Sequence, residues 1–422
     1  VRAIEEARII NAAVGVVISS GATGFGFAGS VVANKIQNTV DARISAGADV
    51  VAYGSVLVQA EDMASIATFA GGAAKGGTAA VGAAIAVNEV ADRVSAIIDD
   101  SGVFAKTGDL HVDAAFKEPT SLPPGLDSQI AALAISGAIS NKVAGAGSVA
   151  VNLINNQVEA RISNIGDLNQ QATRFDGAEI YAGGTLRVTA ADSSTSNSIT
   201  GAFTFGKKAG VGASVSYTYL GNTSSTWNQL DDSRVVASIE NVSGLIKASE
   251  IEVDAEYSGS ILNVTIAGSA GGTFSLGASV SLNEIQMKTK AYVTGTGHLD
   301  VGAGGIDVNA SNTGEIIADA GGFSVAGGSK PAGAVGVTYS KNEIDFETTA
   351  DIGLAEVAGV SITSEGDIQV SGISESVIKA IAIAGAISVS TSGSAVAVSA
   401  TGAITRNIIN TRTTANIWNQ RK

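Results

Sequence analysis

One eleven-residue pattern recurs from end to end of this 422-residue chain and constrains its fold more than any other feature. Written N-x-[IV]-x-x-x-[VT]-x-A-x-[IV], it is met by Asn34, Ile36, Val40, Ala42 and Ile44, and again by Asn88, Val90, Val94, Ala96 and Ile98. It returns at Asn152–Ile162, Asn283–Val293, Asn342–Ile352 and Asn407–Ile417, and a degenerate copy keeps Val235, Ala237 and Ile239, with Gln229 in the place expected for the asparagine. Seven copies at spacings of roughly 54 to 77 residues mark a repeat protein, in which each unit buries its apolar face against its neighbours.

A second signature follows each of the first six copies. It reads GSVLVQA ending at Ala60, GDLHVDA at Ala114, GTLRVTA at Ala190, SEIEVDA at Ala255, GGIDVNA at Ala310 and GDIQVSG at Gly372. A third element is strand-like and built of small residues: 64–72, 196–206, 260–272 and 376–388. Ala favours helix, but Val, Ile, Thr, Ser and Gly at alternate positions tip these stretches to strand. Inward Ala and Gly then let two backbones approach closely.

The period-2 alternation predicts an all-β chain, and the repeat predicts a β-solenoid resembling a parallel β-helix. A unit of about three coils of ~20 residues would make a rod on the order of 100 Å long; a unit that is one large coil would make about a third of that. The parity of the apolar positions changes beside the asparagine: Val149, Val151 and Leu153 alternate one way, Ile154, Val158, Ala160 and Ile162 the other. Such a reversal predicts a bulge or tight bend, with the asparagine in left-handed backbone. Asn34, Asn88, Asn152, Asn283, Asn342 and Asn407 are therefore expected to be structural, as a stacked ladder.

Residues 1–19 read either as a short helix over 3–13, with Glu5 and Glu6 in its first turn, or as the end of a preceding repeat. Residues 20–422 read as one elongated body with two excursions. The first, at 117–127, holds Pro119, Pro123 and Pro124, three of the chain's four prolines. The second, at 216–234, gathers Tyr217, Tyr219 and Trp227, aromatic faces suited to a glycan or a surface protein.

A net charge of −14 argues against nucleic acid. No run of about 18 uninterrupted apolar residues suggests a membrane span, so no insertion is expected. The chain begins at Val1 with no basic-then-apolar leader and reads as a mature or excerpted piece of something longer. It has no cysteine, which removes disulfides and thiolate chemistry, and two histidines, His111 and His298, too few and too far apart for a metal cluster or a triad. The acidic pairs Asp99–Asp100 and Asp231–Asp232 read as turn residues; calcium is the only cofactor their chemistry suggests, and the tandem calcium nonapeptide is missing. No enzyme is expected. A polysaccharide-active β-helix is the catalytic alternative, and it would need carboxylates gathered on one face, for which Asp231 and Asp232 are the nearest candidates.

The VAVNLINNQVEARI type of strand and the GDLHVDA and GDIQVSG type of strand together resemble the β-helical repeat regions of giant secreted bacterial adhesins, of the filamentous-haemagglutinin-like and leukotoxin-type class. The resemblance spans about residues 14 to 417. It implies export to the cell surface or medium, a filament subunit or adhesin shaft, self-association end to end or with neighbouring repeats of a longer chain, and no catalysis.

Overall fold

The computed structural model describes residues 1–119, 128–166, 177–221, 234–353, 360–391 and 395–418. Among these every regular element is a strand, arranged in one thirteen-stranded and one eleven-stranded sheet. Every pairing is parallel. One repeat passes once through each sheet. The second begins along the thirteen-stranded sheet as Val56–Asp62 and Ser65–Gly76, turns at 77–78, and returns along the eleven-stranded sheet as Ala79–Val90 and Arg93–Asp99. It then turns again and enters the thirteen-stranded sheet one strand further on, at Gly102–Ala105 and Leu110–Phe116.

Register follows the sequence motifs. Ala42, Ala96, Ala160, Ala237, Ala291, Ala350 and Ala415 form one column in the eleven-stranded sheet. Ala60, Ala114, Ala190, Ala255, Ala310 and Gly372 form another in the thirteen-stranded sheet. The unit is thus one large coil, and seven coils at the ~4.8 Å strand spacing stack over about 30 Å, the shorter of the two lengths the sequence allowed.

Three local expectations are overturned. The helix over 3–13 is absent: Arg2–Glu5 and Arg8–Ile18 are strands that pair with Gln59–Asp62 and Ser65–Lys75, because the apolar period is two and a neighbouring strand satisfies the backbone. The repeat asparagines do not bend the chain. In Ala79–Val90 the even residues face inward without interruption through Asn88, and in Val143–Ile154 they do so through Asn152. What reverses is side-chain size: before the asparagine small residues face in and large ones out, and after it the large ones face in. Left-handed backbone lies instead at the far turn, two residues after the motif's last aliphatic, at Ala46, Asp100, Asn164, Asn241 and Gly295. Finally, the asparagine position of the degenerate copy belongs to Thr218, which pairs with Asn152 and Asn283. Residues 216–221 and 234 of the expected second excursion are ordinary strand, and the rest of it lies outside the described residues.

Between the sheets the coil has two parts. In the wide half, Ile, Val, Leu and Phe side chains fill one continuous core that includes Ile98, Leu110, Phe116, Ile162 and Ile246. In the narrow half, from the asparagine row to the turn at 77–78 and its counterparts, the interior is built mainly of small residues such as Ala74, Ala80, Ala84 and Ala144, with Val32 in the first coil as an exception. A Cβ on Gly72 would lie 2.0 Å from the Ala83 carbonyl oxygen of the facing strand.

Candidate functional site

The asparagines sit where the two halves meet. Asn34 Nδ2 donates to Asn88 Oδ1 at 2.9 Å, and Asn88 Nδ2 donates to Asn152 Oδ1 at 2.9 Å. Farther along the stack Asn283 Nδ2 donates to Asn342 Oδ1, and Asn342 Nδ2 to Asn407 Oδ1, both at 2.8 Å. The facing strand joins in: Thr68 Oγ1 donates to Asn88 Oδ1 at 2.7 Å, and Asn263 Nδ2 to Asn283 Oδ1 at 2.6 Å. The ladder breaks once. At Thr218 the shorter side chain does not reach, and both Asn152 Nδ2 and Thr218 Oγ1 are buried without a hydrogen-bond partner. Within each segment the asparagines answer one another's polar groups, and only the end members Asn34 and Asn407 are open to solvent, an arrangement that stabilises a stack.

A second buried polar layer lies just inside the wide half. Asp62 and Asp92 are fully buried and face each other across the sheets. Asp62 accepts from the Ala64 amide at 2.9 Å, and Asp92 Oδ1 from the Asn38 amide at 2.5 Å. Burial raises the Asp62 carboxyl to about 6, and burial together with the charge of Asp62 raises Asp92 to about 8. Asp192 accepts from Ser194 Oγ at 2.6 Å, and burial raises it to about 7. The sequence reading missed all three. Their signal was present, since Asp62 and Asp192 each stand two residues after a second-motif alanine, on its inward face.

Tyr217 and Tyr219 lie on the outer face of the eleven-stranded sheet, beside Thr218. Their ring centroids are 6.3 Å apart and tilted by 37°. Tyr217 is half-buried; Tyr219 is buried and donates its hydroxyl to Gln286 Oε1 at 2.7 Å. Trp227, Gln229, Asp231, Asp232, Pro123 and Pro124 lie outside the described residues. On the same face a cavity of about 550 Å³ is lined by Glu159, Arg161, Arg234, Glu240, Lys288 and Tyr292, among others. Arg161 bridges Glu159 at 3.3 Å and Glu240 at 3.2 Å, and the Tyr292 hydroxyl donates to Glu240. Its charges are largely answered from within.

The outer faces of the narrow half are apolar. On the thirteen-stranded sheet Ile135, Ile139, Ile199, Phe203, Phe205, Phe323 and Val325 are exposed; on the other sheet Phe25, Phe27, Val31, Val81, Val143 and Phe274 are. No charged residue occurs in 130–140, 143–152, 196–206, 209–218, 261–271 or 274–283. Outward glycines give the rings room: a Cβ on Gly201 or Gly268 would lie 3.0 Å from the Phe203 ring, and one on Gly321 or Gly385 3.0 Å from that of Phe323. At the tip stand the exposed Lys75, Lys142, Lys207, Lys208 and Lys330.

His111 lies 3.9 Å from Asp109, and His298 3.2 Å from Ser361 Oγ, in different coils. Among the described residues no group of three or more His, Cys, Asp or Glu is placed to hold a metal ion, and no helix is long and apolar enough to cross a membrane. Comparison of the chain with protein-family profiles, with curated proteins and with solved structures finds no match.

Proposed function

We propose that this chain is a stretch of β-solenoid shaft, a filament subunit or part of a large secreted or cell-surface adhesin, whose work is mechanical rather than catalytic. The observation that carries the reading is register. Seven coils of unequal length, with residues of the asparagine row 54 to 66 positions apart, still bring the same alanine and asparagine columns into line. The differences in length fall between the columns and leave the columns themselves intact. Such an architecture is extended by adding coils, and its side-chain ladders gain from each one. The strands at both ends of the stack, Arg8–Ile18 and Phe25–Ile36 at one and Ile368–Ser390 and Ala397–Ile417 at the other, each have one neighbour. Further coils, from the same chain or from another copy, would continue both sheets.

Negative-stain electron microscopy of the chain in dilute buffer, with and without calcium, tests this. Filaments with an axial repeat of about 34 Å, seven strand spacings, would support end-to-end continuation. Globular particles with no preferred long-axis contact, whose isolated coils unfold independently of their neighbours, would sink the shaft reading.

A second reading is favoured by one observation, the tilted Tyr217–Tyr219 pair beside the charged cavity: display of a glycan- or protein-binding patch on the shaft. Tyr217→Ala should then abolish binding on a glycan array while the β-rich circular dichroism stays; unchanged binding would remove the patch from consideration.

A further inference from the structure

The apolar outer face of the thirteen-stranded sheet is built of knobs and holes. Along one row Ile135, Gly201, Ile266, Gly321 and Ile383 alternate from strand to strand; along the next, Gly137, Phe203, Gly268, Phe323 and Gly385. The face is bounded by opposite charges, and on its base side it carries two exposed charges of its own, Asp319 in the row of Ile199 and Lys379 in the row of Asn197. At its tip stand Lys142, Lys207, Lys208 and Lys330. At its base a groove of about 360 Å³ is lined by Glu118, Glu315 and Glu375, of which Glu315 already meets Lys379 at 2.6 Å.

Glu315 stands in register with Thr195, through Ser260. Lys207 lies twelve residues beyond Thr195, about 40 Å along the strand, and Gly201 is midway. A two-fold axis along the row of Gly201 therefore exchanges the acidic row with the lysine row. Seven strands by twelve residues offer on the order of 1,200 Å² per copy, against about 800 Å² per partner in a standard stable interface. A bilayer suits the face less well, because tip-first insertion would carry the lysines into hydrocarbon.

We propose that this face docks on the same face of a second copy of the chain, strands antiparallel, with each lysine-bearing tip against the acidic groove of its partner. The contact is lateral, so it adds to end-to-end continuation and does not depend on it.

The chain contains no cysteine, which makes Ile266→Cys a single reporter on the two-fold row. Mild oxidation of the otherwise unchanged chain should give a disulfide-linked dimer, whereas Val31→Cys on the opposite sheet should give none. Sedimentation equilibrium should show a dimer whose Kd rises about ten-fold or more with Lys207→Glu and Lys208→Glu together, and recovers when Glu315→Lys and Glu375→Lys are added. Phe203→Asp with Phe323→Asp should leave only monomer. The proposal is overturned if Ile266→Cys stays monomeric under oxidation, if the dimer ignores the charge reversals, or if the chain is monomeric at every concentration and instead floats with vesicles of anionic phospholipid.

Discussion

The two halves of each coil solve the same packing problem with opposite side chains. In the wide half the sheets stand apart and Val, Ile, Leu and Phe fill the gap, with the charged residues turned out to water apart from the buried Asp62, Asp92 and Asp192. In the narrow half the sheets close until backbone meets backbone, the interior is mostly Gly, Ala, Ser and Thr, and nearly all the aliphatic and aromatic residues of the same strands are displaced to the outer faces. Alternation alone says that two faces differ; it does not say which is inside. Size decides, because a sheet pair at contact distance leaves no room for leucine, isoleucine or an aromatic ring, whatever the hydrophobic gain. The asparagine ladder marks the border, where the gap has become wide enough for an amide and is not yet wide enough for a leucine.

The largest effect should come from ignoring that difference. Gly72→Val sets three carbons into space where the first alone would lie 2.0 Å from the Ala83 carbonyl oxygen. The sheets must part, and the loss should exceed the ~1–3 kcal/mol of ordinary overpacking, leaving the chain insoluble or molten. Gly147 stands in the same half with its face outward, and nothing lies within 4 Å of a Cβ there. Gly147→Val should be tolerated within about 0.5 kcal/mol. In the wide half the danger is the reverse: Ile162→Ala leaves a cavity and should cost about 2–5 kcal/mol. Urea unfolding of the three variants orders them. Equal losses for Gly72→Val and Gly147→Val would refute the account of the narrow half.

The buried carboxyls of the wide half make stability depend on pH in an uncommon direction. Asp92, at about 8, Asp192, at about 7, and Asp62, at about 6, all titrate well above an unfolded aspartate near 3.9. Between pH ~4 and ~8 the folded chain holds protons that the unfolded chain has released, so stability falls as pH rises through that window and levels off above it. Below pH ~4 both states are protonated and these groups exert no pull. Asp92→Asn keeps an oxygen for the Asn38 amide and gives Asp62 a donor. It should raise stability at pH 8 by about 1–3 kcal/mol and flatten the slope between pH 5 and 8, followed by thermal unfolding across that range. A melting temperature that climbs with pH in the unmodified chain would show that these carboxyls are ionised at no cost.

At the border the ladder offers a test by completion rather than loss. Thr218→Asn puts an amide within the register of Asn152 and Asn283, giving the orphaned Asn152 Nδ2 an acceptor. Joining the two ladder segments should add about 1 kcal/mol. Asn88→Ala, which takes one hydrogen bond from each of Asn34, Thr68 and Asn152, should remove about 1–3 kcal/mol. If both changes prove neutral, water already serves these groups.

Much of this arrangement was legible beforehand, and the exceptions have physical causes. The strand columns were written in the motifs, since Ala42, Ala96 and Ala160 stack as their alignment implies. Thr218 was hidden because the missing asparagine was sought close to Val235; counted forward from the second motif, it lies 28 residues beyond Ala190, as Asn88 lies beyond Ala60, so the added residues follow the row instead of preceding it. The first nineteen residues looked helical because two glutamates near a run of Ala and Ile satisfy local helix rules that a pairing partner overrides. The lateral face was invisible for a different reason: Phe203 and Ile135 look like core residues until the glycines opposite the interior show that there is no room for them inside. Coil size needed the pairings themselves.

The turn beyond the wide half carries the last and smallest consequence. It repeats a left-handed position that is filled by Asp100, Asn164, Asn241 and Gly295, residues that reach this region at low cost, and in the first coil by Ala46 at φ 64°. Alanine has no side-chain hydrogen bond to compensate its Cβ there, whereas Asn164 also donates to Asp99 Oδ1 at 2.7 Å. Ala46→Gly should therefore stabilise the chain by about 0.5–1 kcal/mol, even though glycine loosens the unfolded state. Glycine at Gly147, on an extended strand with nothing near its Cβ, provides the opposite case: Gly147→Ala should gain a few tenths of a kcal/mol from reduced unfolded-state entropy. A gain in stability from both exchanges in a chemical-denaturation series would tie the left-handed corner to the backbone. A loss of stability on Ala46→Gly would mean that the first turn relaxes freely and stores no strain.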